Sequence, residues 1–473
     1  MPHLFHSRWL LVLLLALGCS LTARATHVRG GEITYQSIAP TTLGVPRYHV
    51  LVSLYCDATN NLQQTVTLNV FKGACSTGNS FSVTIPRGAS LSAGATGCTA
   101  FQQFQLYTYE TDLDLPAGQW TLSTTLENRA HDIININQGN SAGVSLYLAT
   151  YLDNTFTSQD ASPRFESQVL PIVDAGNAAP ISFAAFDTDA DSLSYGLVLP
   201  QQGLGIPSIC GTNATNGLLS PHYQINQASG ALFPMSGSGT QGFYNITGRV
   251  ASYRRINGQW RLLSYVTRDL TYTGYAAPAN QAPAFTALTV NGAAQALTQP
   301  VLVRAGQTLT LGFTAADPDA GQQLRFSSSA PQVVPGLALT TTSATQAQMQ
   351  WQVPATLPPG RYSLAVDVFD NACPYNFNTT LTLVVVVANQ PLAARASLNA
   401  EHEVYPVPFR EQVQFRVAPN QAVTLLDALG RTVATLQGGP DGRVRWLPGA
   451  TVRPGLYVAR TADGQPVARL LRE

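Results

Sequence analysis

The chain has 473 residues with 26 basic and 26 acidic side chains, so its formal net charge is zero, and only 11% of its residues are charged. That balance excludes a partner that needs a strongly basic face, such as nucleic acid or an anionic membrane. Thr, Ser, Val, Gly and Pro are abundant, Lys72 is the only lysine, and short β-branched runs recur between turn residues. This is the composition of an all-β chain of tandem antiparallel β-sandwich domains and not of an α/β enzyme.

In chain order, Arg8 followed by the apolar run 10–21 and Ala23-Arg24-Ala25 reads as a signal peptide over 1–25, with the mature chain starting at Thr26. The run is shorter than the ~20 apolar residues that span a bilayer. A lipoprotein role for Cys19 is the weaker alternative, because Ala16-Leu17-Gly18 is a poor lipobox.

The next stretch, 26–174, reads as an N-terminal β domain. Tyr48, Val50, Val52 and Leu54 alternate with His49, Leu51 and Ser53, as a strand requires, and 66–71, 81–86, 103–129 and 144–154 supply further strands. Cys75 and Cys98 are the expected disulfide, with buried thiols in β cores as the alternative reading. The odd number of cysteines after processing leaves at least one thiol over. Gly139-Asn140-Ser141-Ala142-Gly143 matches a nucleophile elbow, but a strand and not a helix follows it, so a loop turn is expected. The acids Glu110, Asp112, Asp114 and Glu127 suit a hairpin surface better than a glycosidase pair, and the histidines show no metal spacing.

Residues 175–277 read as a sandwich whose loop carries Asp187, Asp189 and Asp191 between two strands. Gly237, Gly239 and Gly242 have dinucleotide-loop spacing, yet a strand follows there too, so no helix N-terminus is available for a pyrophosphate. Residues 278–388 repeat the plan, with Asp317 and Asp319 after a strand and Asp370 near the close. Alternate carboxylates in a loop can converge on a hard cation, so these six aspartates are the candidate calcium ligands, against an ordinary Asx turn. Trp120, Trp260 and Trp351 are expected to fill cores, with sugar stacking as the alternative. Residues 389–402 read as a polar linker ahead of a separately folded segment, 403–473.

Three resemblances add to this. Tyr405, Pro406, Pro408, Phe409, Asp427, Gly430, Arg431, Gly455 and Tyr457 match the pattern of the C-terminal sorting domain of type IX secretion, with Val407 in place of the family's Asn. Thr26, His27, Gly30, Gly31, Glu32, Ile33 and Tyr35, with Tyr109, Leu115, Pro116, Ser162, Pro163 and Phe165, resemble the N-terminal region of large Bacteroidetes-type surface proteins. The two middle modules look like cadherin- or Ig-like sandwiches, and by that resemblance Asn280 joins Asp317, Asp319 and Asp370 in one ligand set. The resemblances imply a chain secreted or carried to the outer-membrane surface, with a type IX translocon and sortase as partners. They do not define an activity; the chain as a whole is read as a non-catalytic structural or adhesive protein that binds other cell-surface proteins or extracellular glycans, with attachment to surface lipopolysaccharide implied by the sorting resemblance. A calcium-dependent carbohydrate-binding accessory protein and a hydrolase without a linear motif are the alternatives.

Overall fold

The computed structural model describes residues 28–388 and 404–473, apart from the loop segments 58–61, 74–79, 95–102, 169, 205–209, 215, 236–238, 277–279, 374–375, 407, 428–430, 450 and 463–465. The signal peptide, Cys75, Cys98, Gly237, the linker and Gly430 therefore lie outside the described residues. The fold is all-β and mostly antiparallel, as the composition indicates, and it forms two compact units that part after residue 389.

In the first unit, seven strands, β1 (Val28–Ile38), β2 (Arg47–Asp57), β3 (Thr65–Lys72), β4 (Ser80–Gly94), β5 (Gln103–Asp114), β6 (Gln119–Leu126) and β7 (Leu146–Asp153), pair in the order β1-β2-β5-β4-β3-β6-β7. The strand Gln259–Tyr275 then bonds to β7 at one end and back to β1 at Gly30–Leu270 and Gly31–Asp269, which closes the sheet on itself. The alternation read in β2 is the reason for the enclosed core: Tyr48, Val50, Val52 and Leu54 are all fully buried and pack with Leu68, Val70, Leu122 and Leu148.

Closure depends on glycine. A Cβ on Gly30, whose φ is +144°, would lie 2.0 Å from the Asp269 carbonyl oxygen, and one on Gly31 would lie 2.4 Å from that of Ser53. Only residues without a side chain let β1 approach both neighbours this closely.

The structure differs from the expected division at residue 174. Gly242–Ile256 and Gln259–Tyr275 form one long hairpin, whose second strand has 17 residues. At roughly 3.4 Å per residue that strand is long enough to serve two cores. It shares one eleven-stranded sheet with β1–β7, and its other part packs under the small sheet of Ile181–Ser182, Tyr223–Ile225 and Ala231–Pro234. The N-terminal and second modules are therefore continuous in hydrogen bonding and not beads on a string.

Residues 284–388 form a two-sheet sandwich of Ig-like topology. One sheet holds Ala284–Val290, Thr308–Ala316, Gln346–Gln352 and Leu337–Ser343, and the other holds Val301–Arg304, Asn378–Ala388, Gly360–Phe369 and Arg325–Ser327. Its core is centred on Trp351, with Leu309, Phe313 and Val385. Phe186, from the strand that leads into the first Asp loop, enters this core and stacks on Tyr362 at 5.3 Å. Glu166 accepts the Ala365 N–H (2.7 Å), Ser363 donates to the Ser229 carbonyl (3.1 Å) and Thr380 N–H donates to Pro180 O (2.8 Å). The module boundary is a packed seam.

The second unit is a small sandwich. Val413–Arg416 pairs with Arg443–Trp446, facing a sheet of Thr432–Gln437, Ala422–Leu426, Gly455–Thr461 and Pro466–Arg472. Phe409, Phe415, Leu425, Trp446, Tyr457 and Leu470 fill it.

Candidate functional site

Of the residues that carry the N-terminal resemblance, Glu32, Tyr35, Ser162 and Phe165 gather along one seam, and Thr26 and His27 lie outside the described residues. The Glu32 carboxylate takes both arms of the Arg268 guanidinium, with Nε donating to Oε2 at 2.6 Å, and Arg268 lies over the Phe165 ring at 4.1 Å. Both charged groups are buried. A second buried pair lies beside it: Arg129 donates to both oxygens of Asp269 at 2.8 Å, and Asn245 and Thr247 also donate to Asp269. Tyr35 donates its N–H to Ser162 Oγ (2.9 Å) and its hydroxyl to Asp160 (2.7 Å). These bonds join β1 to the long hairpin and to the 160–166 segment, so the motif residues are engaged in holding the sheets together.

The same seam continues into the first Asp loop. Asp187 Oδ1 accepts the N–H groups of Asp189 (2.9 Å) and Asp191 (3.2 Å), which makes an Asx turn. The other two acids of the loop face Arg254. Its guanidinium donates to Asp191 through Nε, and its Nη2 lies 2.8 Å from Asp160 and 3.3 Å from Asp189. Arg254 thus occupies the centre of the carboxylates that the sequence offered to an ion. That guanidinium already supplies positive charge to Asp189 and Asp191, which a cation would have to displace, while Asp187 Oδ2 is buried without a hydrogen-bond partner. Burial pushes the Asp160 carboxyl up to about 7, with the Tyr35 hydrogen bond and Arg254 pulling it down and Asp191 pushing it up. Asp187, fully buried, is pushed well above the carboxylate range for the same first reason.

The second Asp loop is built differently. Asp370 accepts from Asn280 Nδ2 (3.0 Å) and from the N–H groups of Phe377 and Ala372 (3.0 Å each). Asp319 accepts the Gln281 N–H (2.7 Å), and Asp317 Oδ1 accepts that of Asp319 (2.8 Å). Asp317 Oδ2 is buried without a hydrogen-bond partner, and Asp317 is close enough to Asp370 to push up its carboxyl, after burial itself. No ion pair involves this set among the described residues. The oxygen-only donors expected by resemblance are therefore together. Among the described residues no three His, Cys, Asp or Glu side chains alone form a metal cage, so an ion here would also draw on Asn280 and backbone carbonyls.

Other candidates resolve as ordinary structure. Ser141 is buried, donates to the Ala130 carbonyl and accepts the Ile133 N–H, as a turn serine does. Glu110 and Asp112 flank His49 across β2 and β5, with Asp112 2.8 Å from Nδ1, and Arg47 bonds Asp112 from the same strand. These are cross-strand surface pairs. Cys56 is a buried thiol pushed up to about 12 by burial, and Cys210 and Cys373 are disulfide-bonded. In the second unit, Arg431 clamps Asp427 through N–H (2.9 Å) and Nε (2.7 Å), Phe409 and Tyr457 are core residues, and Tyr405 is exposed.

One feature is new. Trp120 and Trp351 are buried, as expected, but Trp260 is 62% exposed. It sits beside the hairpin tip, where Asn257 and Gly258 have φ of +51° and +79°, as a two-residue primed turn requires. Trp260 pairs across the hairpin with Arg255. Together with Tyr253, Asp189 and Arg361 they line a cleft of about 520 Å³ between the hairpin tip and the opening of Gly360–Phe369.

No family model and no curated protein matches the chain. Among solved structures it is similar to Drosophila N-cadherin EC1-4, at 10% identity over 64% of this chain and 74% of that one, with a TM-score of 0.20. It is similar to the titin domains z1z2 in complex with telethonin, at 16% identity over 41% and 98%, with a TM-score of 0.16. A third is a nucleoside hydrolase-related hypothetical protein from Saccharophagus degradans that is associated with carbohydrate metabolism, at 20% identity with a TM-score of 0.18. The match to it covers 24% of this chain and spans only 27% of that protein. At such scores these likenesses bear on neither the details of the fold nor an activity.

Proposed function

We propose that the chain is a non-catalytic structural or adhesive protein of the cell surface, exported by type IX secretion. The observation that carries this reading is the engagement of the motif residues in structure. Gly30 and Gly31 permit the closure of β1, Glu32 pairs with Arg268, and Tyr35 anchors Asp160. A motif made of buried pairs and close backbone contacts serves a stiff scaffold. No helix among the described residues is long and apolar enough to cross a membrane, which leaves β-barrel spans unaddressed.

The sorting role is supported by the separate unit at 404–473, whose motif residues Phe409 and Tyr457 form its core. In this reading the translocon recognises that sandwich, and a sortase cuts within 389–402 and passes the product to surface lipopolysaccharide. Deleting Glu403–Glu473 is expected to leave the product in the periplasm, as fractionation and surface proteolysis would report. Normal surface delivery of the truncated chain would overturn the assignment.

Calcium is proposed at the Asn280, Asp317, Asp319 and Asp370 set alone. Titrating the mature protein with calcium is expected to raise its melting temperature by a few degrees. The rise should vanish in Asp317→Asn and survive in Asp189→Asn. An unchanged melting temperature at millimolar calcium would reduce the set to a hydrogen-bonded loop.

A further inference from the structure

Burial of an indole removes a large apolar surface from water, and Trp120, Trp351 and Trp446 are buried accordingly. Trp260 is the exception, held out at a rigid two-residue turn. Its neighbours are also unusual for a chain so poor in charge. Arg254, on the facing strand of the hairpin, is saturated by three carboxylates. Arg255 and Arg361, both exposed, make no ion pair among the described residues, and Arg255 donates only to the Gly258 carbonyl (3.3 Å). Asp189 has a side chain 32% exposed, and its Oδ1 accepts no hydrogen bond among the described residues. An aromatic plate, two unpaired guanidinium groups and a carboxylate acceptor thus share one concave site.

We propose that this cleft binds an acidic polysaccharide. The apolar face of a sugar ring lies on Trp260, the guanidinium groups of Arg255 and Arg361 receive the ring carboxylate, and Asp189 accepts a sugar hydroxyl. This deepens the adhesive reading above and rests on it. The volume, about 520 Å³, is that of an ordinary ligand cleft. The walls come from two modules that Phe186, Glu166 and Ser363 lock together, so the site is formed before the ligand arrives, which lowers the cost of binding. Nucleic acid is disfavoured: its affinity comes from many phosphates neutralised in a row, whereas this cleft offers two guanidinium groups that make no ion pair among the described residues.

The test uses the full mature chain with polygalacturonate, neutral hydroxyethylcellulose and polyglutamate as probes, followed by calorimetry and tryptophan fluorescence. Polygalacturonate is expected to bind and to quench the exposed indole, with hydroxyethylcellulose and polyglutamate at least tenfold weaker. Trp260→Ala and Arg361→Gln should each lower affinity tenfold or more while leaving the melting temperature unchanged. Equal binding of the neutral polymer overturns the acidic assignment, and equal binding of polyglutamate replaces the saccharide with an acidic peptide. Failure of polygalacturonate to bind, or binding indifferent to both variants, overturns the cleft itself. Each of these results leaves the adhesive reading in place. That reading fails separately, if the delivered protein adheres to no cell-surface preparation.

Discussion

Arg268→Ala is expected to destabilise the first unit by about 3–5 kcal/mol, because it strands the Glu32 carboxylate in a buried site without its partner. Both groups are almost wholly shielded, with side chains 1% and 9% exposed. Arg268 also packs on Phe165 and donates to the Ser167 carbonyl, so the variant loses packing as well as charge. The charge component can be separated. Replacing the pair together by Glu32→Leu and Arg268→Met substitutes apolar groups of similar size, and such swaps are often close to neutral. The double variant should therefore be markedly more stable than Arg268→Ala in urea unfolding. A loss below about 1 kcal/mol in the single variant, the scale of an exposed ion pair, would show that the pair does not close the sheet.

Acid should stabilise this unit. Four carboxyls are pushed up by burial in this unit: Asp160, beside Tyr35 and Arg254, to about 7, Asp367 to about 6, and Asp187 and Glu166 well above the carboxylate range. The folded state therefore binds more protons than the unfolded chain between about pH 4 and these values. Stability from such groups is fully present below about pH 4 and is lost as pH rises through 6 to 7. His222 opposes the trend, since burial pushes its pKa down and the unfolded chain gains a proton first as pH falls. One imidazole stands against four carboxyls. The melting temperature is expected to be about 5–10 °C higher at pH 5 than at pH 8. Asp367→Asn, which keeps an acceptor for Thr380, should flatten the difference. A melting temperature that falls on acidification would mean that these acids are ionised and paired in the folded chain.

What the sequence made legible follows from distance along the chain. The alternation at Tyr48–Leu54, the Ig-like repeat and the C-terminal segment are local patterns, and the structure has β-sheets with packed cores there. The closure of β1 on the long hairpin has no local signal, since Glu32 and Arg268 are 236 positions apart. The sharing of Gln259–Tyr275 between the modules on either side of residue 174 has no local signal either, since a strand that crosses two cores leaves no mark of doing so. Arg254 was missed for the same reason, being 63 positions from Asp191. For Trp260 a signal did exist: Asn257-Gly258 between two strand-like runs marks a hairpin tip, and a residue beside a tip is exposed.

The pairing of the last strand of the first unit bears on how this unit would carry load. Asn378–Ala388 leads into the linker and runs parallel to Val301–Arg304, with four residue pairs from Val301–Val385 to Arg304–Ala388. Tension drawn through residue 388 acts along these strands, so the hydrogen bonds of the ladder are strained in shear together and cannot be peeled one at a time. The barrier to forced unfolding is then set by the rupture of the whole ladder.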